Sequence, residues 1–182
     1  MSFFSSSHKA EKKDALIGEA ESYIAAIKNQ KQLPQISSDA LFLASGEHAF
    51  LEEQVILKET RAVRKSSGGF GGLRIMKGVT IGGWSGTSES HQEWRQLDSG
   101  QLVLTNKKII FRGGKENRTI PIDKIVAFET YSDRVEIVID GRTKNIAFSV
   151  KNPLIWKIAI SIIKNAKDPL DLGNTNLNVE VR

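Results

Sequence analysis

The chain's 26 Lys and Arg residues outnumber its 21 Asp and Glu, and the excess is unevenly spread. Residues 58–77 carry Lys58, Arg61, Arg64, Lys65, Arg74 and Lys77 against Glu59 alone, a net of +5. Residues 107–118 carry Lys107, Lys108, Arg112, Lys115 and Arg118 against Glu116, a net of +4. The whole chain is +5, so the remainder is acidic by −4. Cations gathered in this way suit one chemistry, the holding of an anion: a lipid headgroup, a phosphorylated ligand or nucleic acid. Each Lys or Arg near an acidic bilayer contributes about 1 kcal/mol, so a handful gives reversible, salt-sensitive attachment. The competing reading of the same residues is ordinary solvated surface.

Catalytic chemistry finds much less to work with. The absence of Cys removes disulfides, thiol nucleophiles and Cys-based zinc sites. His8, His48 and His91 stand in no metal-binding spacing. Gly69-Phe70-Gly71 starts a dinucleotide fingerprint, but Arg74 occupies the third glycine position. Gly114-Lys115 is followed by Glu116, where a phosphate-binding loop needs Ser or Thr. No G-x-S-x-G elbow is present. The expectation is a protein that is not an enzyme, with no catalytic residue, no metal and no cofactor. Nucleic acid is the weaker anionic partner, because only Phe70, Trp84 and Trp94 accompany the cations as stacking candidates.

The elements that must position these cations follow from periodicity. Leu16, Ala20, Tyr23, Ile24 and Ile27 form one apolar stripe at helical spacing, predicting a helix over about 8–31 that Pro34 stops. Such a helix either packs back on the domain or serves assembly and partner binding. From Leu41 the period changes to two. Residues 50–64 read as a long strand. Residues 68–86 hold 8 of the 15 glycines and read as short strands with bulges or sharp turns.

Short strands follow at 101–105, 108–111, 118–122, 125–129, 135–139 and 145–150, joined by turns at Asn106-Lys107, Gly113-Gly114, Asp123-Lys124 and Asp140-Gly141. These links are too short for crossover helices, which excludes a doubly wound parallel sheet. Asn152-Pro153 then reads as an N-cap followed by proline at the first helical position. Ile155, Ile158, Ala159, Ile162 and Ile163 supply the stripe of that last helix, with Trp156 and Ile160 widening it. An apolar face so broad has to be covered.

The stretch Gly100-Gln101-Leu102-Val103-Leu104-Thr105-Asn106-Lys107-Lys108-Ile109-Ile110-Phe111 resembles the hairpin of pleckstrin-homology-like domains of the GRAM and bacterial type. Ile120-Pro121-Ile122-Asp123-Lys124-Ile125 is similar to the strand that follows it in that family. The resemblance spans roughly 41–167. It implies a mainly β, α+β fold: a bent antiparallel sheet or barrel of about seven strands closed by a C-terminal helix, here with an N-terminal helix added.

On that fold Ile109 and Phe111 reach the core, while Lys108 and Arg112 project together from the other face. Glycines near Arg64 and Arg74 would let backbone N–H groups approach an anion. The expected anion site is therefore Arg64, Arg74, Lys108 and Arg112 acting jointly. The expected domains are an N-terminal helix and linker at 1–38, the pleckstrin-homology-like domain at 39–167 and a tail at 168–182. The expected protein is a cytoplasmic interaction module, peripheral at the membrane, recruiting a protein partner or an acidic lipid surface. Homo-oligomers would form through the N-terminal helix, and nucleic acid is the alternative partner. Removal of residues 1–31 should then leave a folded domain of altered size in solution.

Overall fold

A computed structural model describes the backbone of residues 3–37, 43–76 and 79–173, and their side chains except at 3–10, 12 and 61–92. The order of elements is α1 (Phe3–Gln30), β1 (Ala49–Met76), β2 (Val79–Thr105), β3 (Lys108–Gly113), β4 (Asn117–Pro121), a 3-10 turn (Ile122–Lys124), β5 (Ile125–Thr130), β6 (Val135–Ile139), β7 (Ile146–Ser149) and α2 (Pro153–Asn165). The seven strands form one sheet in the order β4-β3-β2-β1-β7-β6-β5. Its edge strands are β4 and β5, so the sheet is open and is not closed into a barrel. The mainly β expectation holds, with a helix at each end of the chain.

Two compact units divide the chain: Met1–Glu59 with Gln96–Arg182, and Thr60–Arg95. The second unit consists of the C-terminal part of β1 and the N-terminal part of β2 and holds the glycine-rich segment. Here the structure differs from the short bulged strands expected. Glycines normally punctuate strands, yet 61–76 and 79–92 continue the strands on either side of them. The tail beyond Gly173 lies outside the described residues.

The first unit is built on alternation. β2 and β3 pair as Leu104↔Ile109 and Leu102↔Phe111, and β3 pairs with β4 as Ile109↔Ile120, so these side chains share one buried face. On the other half of the sheet Leu57, Phe148 and Val135 lie in one row, and Ile146 and Ile137 in the next. Phe111 and Phe148 meet with ring centroids 5.7 Å apart, joining the two halves in a single core. Gly100 stands opposite Gly113, and a Cβ on Gly100 would overlap the Arg112 carbonyl. Only glycine fits there.

Helix α2 begins as its sequence suggests. Asn152 Oδ1 accepts from the Leu154 N–H at 3.1 Å and Pro153 takes the first helical position. Trp156, Ile158, Ala159, Ile160, Ile162 and Ile163 are all buried. The breadth of that face has a physical cause: α2 touches β5 and the 3-10 turn and also packs against α1. Glu53 of β1 fastens the first turn, accepting from Lys151 N–H at 2.6 Å and from Trp156 Nε1 at 3.1 Å. Replacing Ile158 or Ile162 with Ala is expected to cost about 2–5 kcal/mol, measured as a lower urea midpoint at unchanged slope. A loss below about 1 kcal/mol would mean that the sheet does not depend on this helix.

The stripe expected on α1 is the one that packs. Ala20 and Ile27 are fully buried, and Leu16, Tyr23 and Ile24 are half-buried. Beyond the helix, Leu33 N–H reaches Pro169 O at 2.9 Å and Leu172 N–H reaches Lys31 O at 2.8 Å. Of the two readings of this helix, packing back on the domain is the one present in the structure. Among the described residues no helix is long and apolar enough to cross a membrane.

Candidate anion-binding surface

Lys108 and Arg112 do project from one face of β3, flanking Ile110 and opposite the buried Ile109 and Phe111. Their electrostatic settings differ. Lys108 Nζ lies 3.1 Å from the carboxylate of Glu47, whose side chain is buried. Arg112 is exposed, stands across from Gln101 and Asn117, and makes no ion pair among the described residues. It borders an open depression of about 550 Å³ lined also by Glu52, Glu53, Gln54 and Gln101. Glu52 accepts a hydrogen bond from Gln101 Nε2, and Glu53 is committed to Lys151 and Trp156. The field around Arg112 is therefore mixed in sign.

Other cations of the 107–118 stretch also have partners in the fold. Arg118 Nη1 pairs with Glu116 at 2.6 Å, and Lys107 Nζ donates to Ser45 O at 3.4 Å. Glu47 and Glu52 come from elsewhere in the sequence, so the local count of charge overstated this surface. Arg64 and Arg74 belong to Thr60–Arg95, and their side chains lie outside the described residues.

Thr60–Arg95 holds Arg61, Arg64, Lys65, Arg74, Lys77 and Arg95 against Glu89 and Glu93, which is +4 of the chain's +5. Two further cations that sequence reasoning passed over are Arg142 and Lys144, on the turn between β6 and β7. Both bind Glu59, at 2.9 and 3.4 Å, and that carboxylate is almost wholly buried. The Asp140-Gly141 turn marked the place, and Gly141 has φ +71°. Nothing local in the sequence showed that a buried acid would occupy these cations.

The Thr-Asn-Lys-Lys motif proves to be a clasp between the β2–β3 turn and residues 44–48. Thr105 Oγ1 donates to Glu47 Oε1 at 2.8 Å and accepts from Lys107 and Lys108 N–H at 3.2 and 3.0 Å. Asn106 Oδ1 accepts from His48 N–H at 3.0 Å, and its Nδ2 donates to Gly46 O at 3.0 Å. His48 Nδ1 lies 3.1 Å from Gln35 Oε1, which gives that histidine a structural place. The side chains of His8 and His91 lie outside the described residues. Among the described residues no group of three or more metal-ligating side chains is gathered.

Burial by itself would raise the Glu47 carboxyl, but the bonds from Thr105, Lys108 and the Ala44 N–H and the charge of Lys108 outweigh it. Its pKa is lowered. A group depressed in the folded state gives stability that is complete above its unfolded pKa and lost as pH falls through the folded one. Wild-type stability should therefore drop on acidification below about pH 4. Glu47→Gln should flatten that dependence and cost about 1–3 kcal/mol at neutral pH. Urea midpoints at pH 3, 5 and 7 test this; parallel pH profiles for the two proteins would contradict it.

Asp98 makes a second fastening, on the β3–β4 turn. Its Oδ2 accepts from Lys115 and Glu116 N–H at 2.6 and 2.8 Å, and these backbone donors hold its carboxyl below the usual range. No protein-family model, no curated protein and no solved structure matches the chain.

Proposed function

We propose that the chain is a non-enzymatic interaction module of the pleckstrin-homology-like, GRAM or bacterial type, working in the cytoplasm and recruited to acidic membrane surfaces. The strand order β4-β3-β2-β1-β7-β6-β5 followed by a packed C-terminal helix supports the fold part of this reading. The single observation that carries the binding part is that one unit, Thr60–Arg95, holds +4 of the total charge of +5. Charge concentrated in this way attracts an anionic surface over about a Debye length, about 8 Å at physiological salt, and weakens as salt is added.

Co-sedimentation with phosphatidylcholine vesicles, with and without roughly 30% phosphatidylserine, tests the reading at low and high salt. Binding is expected only to the acidic vesicles, falling steeply with salt. Arg64→Glu with Arg74→Glu should remove most of it. Arg112→Glu should have a smaller effect, because Glu52 and Glu53 already line its surroundings. Lys108→Glu is a poor probe: it would set a second carboxylate against buried Glu47 and destabilise the fold. No binding to acidic vesicles at low salt would sink the proposal. A gel shift with DNA or RNA under those conditions would then favour nucleic acid.

A further inference from the structure

The sheet ends in two edge strands, β4 and β5, and they are not equally finished. Tyr131 N–H bonds Arg134 O at 2.9 Å and closes the β5–β6 hairpin. Antiparallel bonds alternate from such a pair, so Glu129 and Ala127, opposite Glu136 and Val138, direct their backbone groups to β6. Phe128 and Thr130 therefore turn their N–H and C=O away from the sheet. On β4 the bond from Gly113 N–H to Glu116 O sets the same alternation, and the outward residues are Asn117, Thr119 and Pro121. Proline has no N–H, and the other two side chains are polar. That edge is blunted.

β5 carries apolar side chains instead. Val126, at the bulge between Ile125 and Ala127, is 65% exposed, and Tyr131, just past the strand, is 41% exposed. These are the large hydrophobic residues that stand exposed among the described residues, and Phe128 lies half-buried between them. Lys164 Nζ donates to Ile125 O, so the open length runs from Val126 to Thr130.

Charge narrows what fits there. Residues 123–136 carry Asp123, Glu129, Asp133 and Glu136 against Lys124 and Arg134, a net of −2 in a chain of +5. Glu129 is exposed, stands opposite Glu136 and accepts from the Tyr131 hydroxyl at 3.1 Å. Arg134 is committed to Glu136 and Asp133, and no cation pairs with Glu129 among the described residues. Like charges directly opposite are unfavourable, and a Lys or Arg on an added strand would relieve them. A second copy would not, because a two-fold pairing centred on Glu129 sets that carboxylate against its own copy.

We propose that β5 takes an extended segment of a partner protein as an added strand. The segment places a Lys or Arg beside Glu129 and, by alternation, apolar residues on the side of Phe128. Main-chain bonds to Phe128 and Thr130 supply affinity, and the alternating side chains supply specificity.

Amide hydrogen exchange of the full chain, read residue by residue, tests the edge first. In dilute free protein Phe128 and Thr130 should exchange roughly tenfold or more faster than Ala127 and Glu129. Equal protection at all four would mean that the edge is already covered, and would overturn the proposal. A displayed library of random short peptides, selected against the full chain, should then enrich sequences that alternate Lys or Arg with apolar residues. An enriched peptide, synthesised alone, should slow exchange at Phe128 and Thr130 roughly tenfold. Thr130→Pro removes a donor that β6 does not use, so it should leave the melting temperature nearly unchanged and abolish peptide binding. Glu129→Lys should weaken binding roughly tenfold while the fold is kept, which decides the matter even if the proline variant is unstable. No enrichment, or a peptide that binds without protecting these two amides or binds Glu129→Lys as it binds the wild type, would contradict the proposal. Protection that rises with protein concentration in the absence of peptide would assign the edge to a second copy, and would overturn it too.

Discussion

Replacement of Thr60–Arg95 by a short turn containing Asn-Gly is expected to leave a folded chain that no longer binds acidic vesicles. The remaining parts of β1 and β2 have their own partners. Leu57 pairs with Phe148 and Glu59 with Ile146 on one side; Gly100 pairs with Gly113 and Leu102 with Phe111 on the other. Glu59 would keep Arg142 and Lys144, and Asp98 would keep the β3–β4 turn. A short turn of the Asn-Gly kind suits the right-handed twist of two antiparallel strands. Among the described residues the buried cluster lies outside Thr60–Arg95. The melting temperature should therefore move by only a few degrees, on the order of 1 kcal/mol. Vesicle binding should vanish, because six cations leave with the segment. An excised chain that is folded yet binds as the wild type does would move the anionic surface to the first unit, with Arg112 the first residue to test. An excised chain that is unfolded would show that the long hairpin organises the sheet.

Local pattern revealed most of the sheet and little of its electrostatics. Helix α2 was legible because Asn152, Pro153 and the Ile stripe each act within a few residues of one another. The β2–β3 hairpin was legible for the same reason: alternation puts Ile109 and Phe111 on one face, and Thr105-Asn106 tolerates the turn. Glu47 and Glu59 were not legible. Their partners lie 58 and 83 residues away, and only the folded sheet brings them together. A window of basic residues therefore counted Lys108 as available, when a buried carboxylate already holds it. The glycine-rich segment failed for another reason. Glycine weakens a strand and marks turns, but it does not forbid extended backbone, so two long strands were divided into short ones.

Removal of residues 1–31 is expected to unfold or loosen the first unit, against the sequence expectation of a detachable helix. Helix α1 contributes Ala20 and Ile27 to the same buried cluster as Trp156, Ile158 and Ile162. Its Leu16 carbonyl and Glu19 carboxylate each accept from Asn152 Nδ2 at 2.9 Å, so they steady the residue that caps α2. Burial also raises the Tyr23 phenol to about 12, and its hydroxyl has no hydrogen-bond partner among the described residues. A residue buried at that cost belongs to a packed interface.

Without α1, α2 would expose the apolar surface that packs against it, and Leu172 would lose its bond to Lys31. Ile27→Ala alone should cost about 2–5 kcal/mol, and the truncation more. Against a typical total of about 5–15 kcal/mol, that is enough to populate the unfolded chain. The measurements are urea unfolding of Ile27→Ala and near-ultraviolet circular dichroism of the truncated chain, to which Trp156 contributes together with Trp84 and Trp94. Ile27→Ala should lower the urea midpoint at unchanged slope, and the truncated chain should have a weaker near-ultraviolet signal and bind a hydrophobic dye. A truncated chain that keeps the full-length midpoint and signal would mean that α2 is held by the sheet alone, and α1 would then be free for assembly with a partner.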